Sequence, residues 1–79
     1  MYYVYILESK KDISRYIGVT SDLKNRLREH NNSETKSNKS KVPFKIIWYC
    51  AFAQQDTAYN FERYLKSSSG YAFTSKHFL

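Results

Sequence analysis

The chain has 79 residues, enough for one small domain, and a formal charge of +6 from thirteen Lys and Arg against seven acids. The single Cys50 excludes an intrachain disulfide, and two histidines with one cysteine make no Cys/His cluster for structural zinc. No apolar run approaches the ~18 residues that span a membrane, and no basic-then-apolar start marks a signal peptide, so a cytoplasmic setting is expected.

A chain of this size buries only about 60% of the surface exposed when unfolded. The eight Tyr, five Phe and one Trp must therefore supply much of the core. The positive charge points to an anionic partner, nucleic acid first. Solubility alone is the plainer explanation, because small domains often carry charges of about 2–8. Charge does not decide between them.

Tyr2 to Leu7 is an unbroken apolar and aromatic run, as in a strand covered on both faces. Glu8 to Ser14 is polar and turn-like, and Arg15 to Val19 reads as a second strand paired antiparallel with the first. Gly18 marks a bend or a close backbone approach. Thr20 or Ser21 can cap the next helix, which carries Asp22 in its first turn and runs to about His30.

Asn32 to Lys41 is a polar, basic connection with Lys36, Lys39 and Lys41, closed by Pro43. Lys45 to Phe52 is the clearest strand, and its near-continuous hydrophobicity places it centrally. Asp56 to Lys66 reads as a helix with Asp56 as N-cap, ending near Ser67 to Gly70, where Gly70 suits a left-handed cap. Tyr71 to Leu79 adds a short final helix. The expected fold is α+β: a three-stranded antiparallel sheet flanked by helices, order ββαβα, in one domain over 1–79.

One residue breaks the pattern. At about 100° per residue, Ala58, Phe61 and Leu65 form an apolar stripe, and Glu62 falls inside it. Burying a carboxylate there costs several kcal/mol unless a side chain or a metal ion answers it. On the first helix Leu23, Arg26, Leu27 and His30 share one ~100° arc. Alone, Arg26 is an arginine lying over the core edge and His30 a helix-terminal histidine favoured by the dipole. Matched by Glu62, they become less ordinary. Tyr3 and Tyr5 share one strand face, and tyrosine at such positions most often packs.

Together, Tyr3-Val4-Tyr5, Tyr16-Ile17-Gly18, then Thr20, Leu23, Arg26 and His30, with Phe61-Glu62-Arg63-Tyr64-Leu65-Lys66 later, resemble the GIY-YIG nuclease superfamily. The resemblance covers essentially the whole chain, and the tail from Leu65 to Phe73, with His77 beyond, is similar to a bacterial branch of small single-domain members. Tyr3 and Val4 replace the glycine and isoleucine of the first tripeptide, whereas Tyr5 and the second tripeptide are intact. The asparagine that many members carry near the end of the domain has no counterpart after Lys66.

The resemblance implies hydrolysis of nucleic-acid phosphodiesters, DNA by preference, in repair or recombination. It also implies one divalent cation, Mg2+ or Mn2+, carried by Glu62. Arg26 would neutralise phosphate charge, and Tyr5 would orient or deprotonate the attacking water, with Tyr16 and His30 completing the network. A tyrosine titrating near ~10 is a poor base at neutral pH. Arg26 and the metal are expected to favour its phenolate, with neutral His30 accepting the proton.

Lys24, Arg28, Lys36, Lys39, Lys41, Lys45 and Lys66 are the expected phosphate contacts, which give affinity without reading sequence. Binding should be weak unless a homodimer or a targeting partner reinforces it. One alternative is a module of the same fold that binds nucleic acid without cutting. Another is a protein-interaction module with a tyrosine-rich surface, which leaves Arg26, His30 and Glu62 unexplained.

Overall fold

The structure, a computed structural model, describes residues 1–11, 14–32 and 42–67. Strand β1 spans Tyr2–Ser9, β2 Arg15–Thr20 and β3 Phe44–Phe52; helix α1 spans Leu23–Asn31 and α2 Gln55–Lys66. The fold is α+β in the order ββαβα, as expected. Lys36, Lys39, Lys41, the expected Gly70 cap, the expected closing helix and His77 lie outside the described residues.

The sheet is antiparallel with the order β2-β1-β3. The central strand is therefore β1, and among the described residues β3 is an edge, contrary to the position expected from its hydrophobicity. Apolar continuity reports that both faces of a strand are covered. It does not report a strand on each side. β1 satisfies both conditions: Val4, Tyr5, Ile6 and Leu7 are all buried.

Alternation along β1 divides the core in two. Val4 and Ile6 pack on Ala58 and Leu65 of α2, with Ile17, Val19, Trp48, Phe52 and Phe61 around them. Tyr5 and Leu7 pack on Phe44 with Leu23 and Leu27 of α1. The two helices thus cover opposite faces of the sheet. Fully burying an aliphatic side chain such as Leu65 contributes about 1.5–3 kcal/mol.

A bulge sets the register between β1 and β3. Ile6 faces Trp48, but Leu7 faces Ile46, so Ile47 is the extra residue. In a regular strand, Ile46 and Trp48 would share a face. The bulge instead sends Ile46 and Phe44 to the α1 side and leaves Trp48 on the α2 side. Without it, no apolar floor would lie beneath the C-terminal end of α1.

The helix starts differ from expectation by one or two residues. Asp22 is the N-cap of α1, its carboxylate accepting from the Asn25 N–H at 3.1 Å. Thr20 supports that cap, its hydroxyl accepting from the Asp22 N–H at 3.1 Å. Gln54 stands at the N-cap of α2 without a side-chain bond, leaving Asp56 in the first turn. There its charge still favours the helix through the dipole.

Candidate active site

Gly18 determines where the Tyr5 side chain can lie. The two residues face each other across β1 and β2, and directly opposed residues share a sheet face. A Cβ on Gly18 would stand 2.5 Å from Tyr5 Oη and 2.7 Å from its Cζ. The phenol therefore lies flat across β2, its hydroxyl above the glycine. The close approach expected at Gly18 is that of a ring, and no positive φ is involved.

Tyr16, two residues earlier on β2, faces the same side, opposite Leu7. His30 at the end of α1 meets both tyrosines, its ring centroid 5.1 Å from Tyr16 and 6.5 Å from Tyr5. Phe44, brought there by the bulge, contacts Tyr16 at 6.1 Å and His30 at 5.8 Å. Asn31 fixes the end of α1 to β3: its side chain accepts from the Phe44 N–H at 2.6 Å and donates to the Phe44 carbonyl at 3.2 Å.

Arg26 is more exposed than its place on the helical stripe predicts. Its Nε lies 3.4 Å from Glu29 Oε1, with both side chains about 40% exposed or more. The reason is that α1 is short and buries none of its residues fully. Glu62 is largely covered, its side chain 16% exposed, and Lys66 one turn later answers it, Nζ to Oε2 at 3.2 Å. The carboxylate on the apolar stripe thus has a side-chain cation, half-exposed and worth roughly 0.3–0.5 kcal/mol. Breaking such a pair does not cost the several kcal/mol of a buried one.

Although α1 and α2 cover opposite faces, charged groups from both helices act on the Tyr5 phenol. The charges of Arg26, Glu62, Glu29 and Tyr16 all bear on its phenol. Burial is the dominant influence and raises the Tyr5 pKa above 10.0; Arg26 opposes it, and Glu62 reinforces it. The expected push of Arg26 toward the phenolate is present, but desolvation outweighs it. His30 shifts down from 6.5, first through burial and then through Arg26, with Glu29 opposing. At neutral pH Tyr5 is a phenol and His30 a neutral imidazole.

Among the described residues no three His, Cys, Asp or Glu side chains gather as metal ligands. That donor set does not suit zinc. It does fit a hard, hydrated cation such as Mg2+, which takes one or two carboxylates and fills its remaining positions with water and phosphate oxygens. Glu62, reachable and paired only across a half-exposed contact, is the residue that would hold it.

Lys24 and Arg28 stand on the exposed flank of α1. Arg28 donates to the Asn25 side chain. Lys45 is placed elsewhere. It pairs with Glu8 at 3.8 Å beside the Glu8–Arg15 pair at 3.1 Å, at the far end of the sheet from Tyr3. Lys66 stands next to Glu62, so it borders the site. Sequence reasoning missed Glu29 and Asn31. No helix among the described residues is long and apolar enough to cross a membrane.

Comparison with known proteins matches this geometry to a family. A family model described as the GIY-YIG catalytic domain matches residues 1–75. A UPF0213 protein of Streptococcus pneumoniae is 38% identical over 65 residues, covering 81% of this chain and 65% of the relative. A UPF0213 protein of Haloquadratum walsbyi is 36% identical over 67 residues, covering 84% and 74%. The solution NMR structure of the UPF0213 protein BH0048 from Bacillus halodurans matches with a TM-score of 0.56 at 30% identity, over 96% of this chain and 84% of that one. This chain thus spans 65% of the length of the pneumococcal relative. The strand order, the paired tripeptides on β1 and β2, and the acid on α2 agree with that match, and the chain belongs to the GIY-YIG family, a family of nucleases.

Proposed function

We propose that this chain is a divalent-metal-dependent endonuclease that hydrolyses phosphodiester bonds in DNA, with repair or recombination as its setting. The observation that carries the reading is the Tyr5 phenol, laid over Gly18 with the His30 and Tyr16 rings gathered beside it on the same sheet face.

In this mechanism Arg26, at the solvent rim, binds the non-bridging oxygens of the scissile phosphate. Its exposed contact with Glu29 yields readily to a charge-assisted, two-pronged bond to phosphate. Tyr5, a neutral phenol, hydrogen-bonds the attacking water and fixes its line of approach. His30, neutral at pH 7, takes the water's proton, and Tyr16 beside it holds the imidazole in position. Glu62 would hold the cation, and Mg2+ or Mn2+ there would supply positive charge to offset that developing on the phosphate and the departing oxygen. The new bond joins the water oxygen to phosphorus as the bond to the 3′ oxygen breaks. By analogy with the family, the products carry a 5′-phosphate and a 3′-hydroxyl.

The Lys66 cation that already answers Glu62 favours a second reading, a non-cutting module that binds nucleic acid. Purified protein incubated with duplex, single-stranded and branched DNAs and structured RNAs, with manganese or EDTA, separates the two. Cleavage is expected only with metal, and Glu62→Gln should reduce it by about 100-fold or more. The same variant should change stability in EDTA by less than about 0.5 kcal/mol, since only a half-exposed pair is lost. Cutting that persists in the variant, or in EDTA, would sink the metal-carrying role of Glu62.

A further inference from the structure

A second aromatic surface continues from the candidate site along the same sheet face. Tyr49 on β3 stands directly opposite Tyr5, on the side away from Gly18, yet it is 55% exposed while Tyr5 is buried. Tyr3 lies two residues from Tyr5 on β1, about 7 Å along the strand. The Tyr3 and Tyr49 rings meet edge to face, centroids 6.2 Å apart at 64°. Between them and the first turn of α1 lies an open cavity of about 320 Å³, walled also by Asp22, Leu23 and Lys24.

The chemistry of this cavity is selective. Its aromatic walls suit a flat, apolar-faced ring. The Asp22 carboxylate disfavours a phosphate inside, and one of its oxygens is already held by the Asn25 N–H as the helix cap. Its remaining acceptor capacity suits an amine or imide N–H. Lys24 supplies the opposite charge. An uncharged aromatic ring bearing N–H donors, linked to an external phosphate, meets all these conditions.

We propose that the Tyr3–Tyr49 cavity is a stacking site for one unpaired nucleobase. Its backbone phosphate lies against Lys24, and the strand continues toward Arg26 and Tyr5. The inference rests on the reading of this face as a nucleic-acid surface, but it does not require cleavage. Tyr49 presents its ring to the base, Tyr3 supports it edge-on, and Asp22 accepts from the base edge. A duplex, whose bases are stacked internally, cannot fill the cavity without unpairing.

Fluorescence anisotropy in EDTA tests this with a labelled single strand of roughly 12 nucleotides, an abasic strand of equal length, and a duplex. Wild type should bind the base-bearing strand more tightly than the abasic one. Tyr49→Ala should remove that preference, weakening the base-bearing strand roughly 5- to 150-fold. Its abasic and duplex affinities should be unchanged. Tyr49→Phe and Tyr49→Trp should retain the preference, and Lys24→Ala should weaken all three probes. Equal binding of base-bearing and abasic strands by wild type would overturn the proposal, as would an undiminished preference in Tyr49→Ala or no binding to any strand. Base-dependent binding without metal-dependent cleavage would leave the stacking site standing and remove the nuclease reading. Cleavage without base dependence would do the reverse.

Discussion

The two faces of the sheet divide the work of the molecule. On one, α2 presses Ala58 and Leu65 onto Val4 and Ile6, with Trp48, Phe52 and Phe61 sealing the periphery. On the other, α1 buries none of its residues completely and leaves Arg26 at the surface, with His30 half-buried against Tyr16 and Phe44. The first face is aliphatic and aromatic, with Glu62 at its border. The second keeps its polar groups within reach of water. A small domain cannot make both faces dry and still keep polar side chains open to water. Here the fully buried aliphatic core lies beneath α2, and the more open polar groups lie beside α1.

The largest expected effect tests that division directly. Leu65→Ala removes a 2%-exposed side chain from the α2 core and should cost about 2–5 kcal/mol in urea unfolding. Leu27→Ala on the half-buried α1 seam should cost about 1–2 kcal/mol, since part of that side chain already faces water. Equal losses would erase the distinction between the faces.

A smaller effect is expected where the α1 face is tightest. Gly18→Ala places a methyl within 2.5 Å of Tyr5 Oη. Tyr5 is 3% exposed and cannot swing aside, so overpacking should cost about 1–3 kcal/mol. Cleavage should fall with it, because the hydroxyl moves. Melting of Gly18→Ala alongside Tyr5→Phe separates the two consequences. An alanine variant as stable as wild type would show that the phenol is not wedged over the glycine.

The finest test uses pH. In the proposed mechanism His30 serves as base only when neutral, and burial with Arg26 lowers its pKa below 6.5. The cleavage rate should therefore be flat near neutrality and fall about tenfold per pH unit only below that lowered value. Tyr5 is raised above 10.0 and stays protonated throughout this range. A rate that climbs steadily from pH 7 to 10 would instead make the Tyr5 phenolate the base and reduce His30 to a packing role.

The sequence determined a good deal by itself. Local patterning specified the five elements in order, the β1–β2 hairpin and the α+β class. The fixed order of Tyr5, Tyr16, Arg26, His30 and Glu62 was enough to recognise the family resemblance. The stripe on α2 also identified Glu62 as out of place. Each of these follows from contacts near in sequence or from helical and strand periodicity, which a chain displays before it folds.

Other features depended on contacts distant in sequence. Lateral order is one: β3 looks more central than β1, because hydrophobic continuity measures covered faces and carries no information on neighbouring strands. The bulge at Ile47 is another. It moves Phe44 under His30, a two-residue alternation broken only by pairing with β1. Periodicity put Arg26, His30 and Glu62 each on an inward stripe, yet it could not say that the two helices take opposite faces of the sheet. Nor could it say that Lys66 answers Glu62, since a helix offers an i,i+4 partner that tertiary packing must leave in reach. The balance at Tyr5 was beyond sequence for the same reason: desolvation depends on what closes over the ring, and only the assembled sheet and helices determine that.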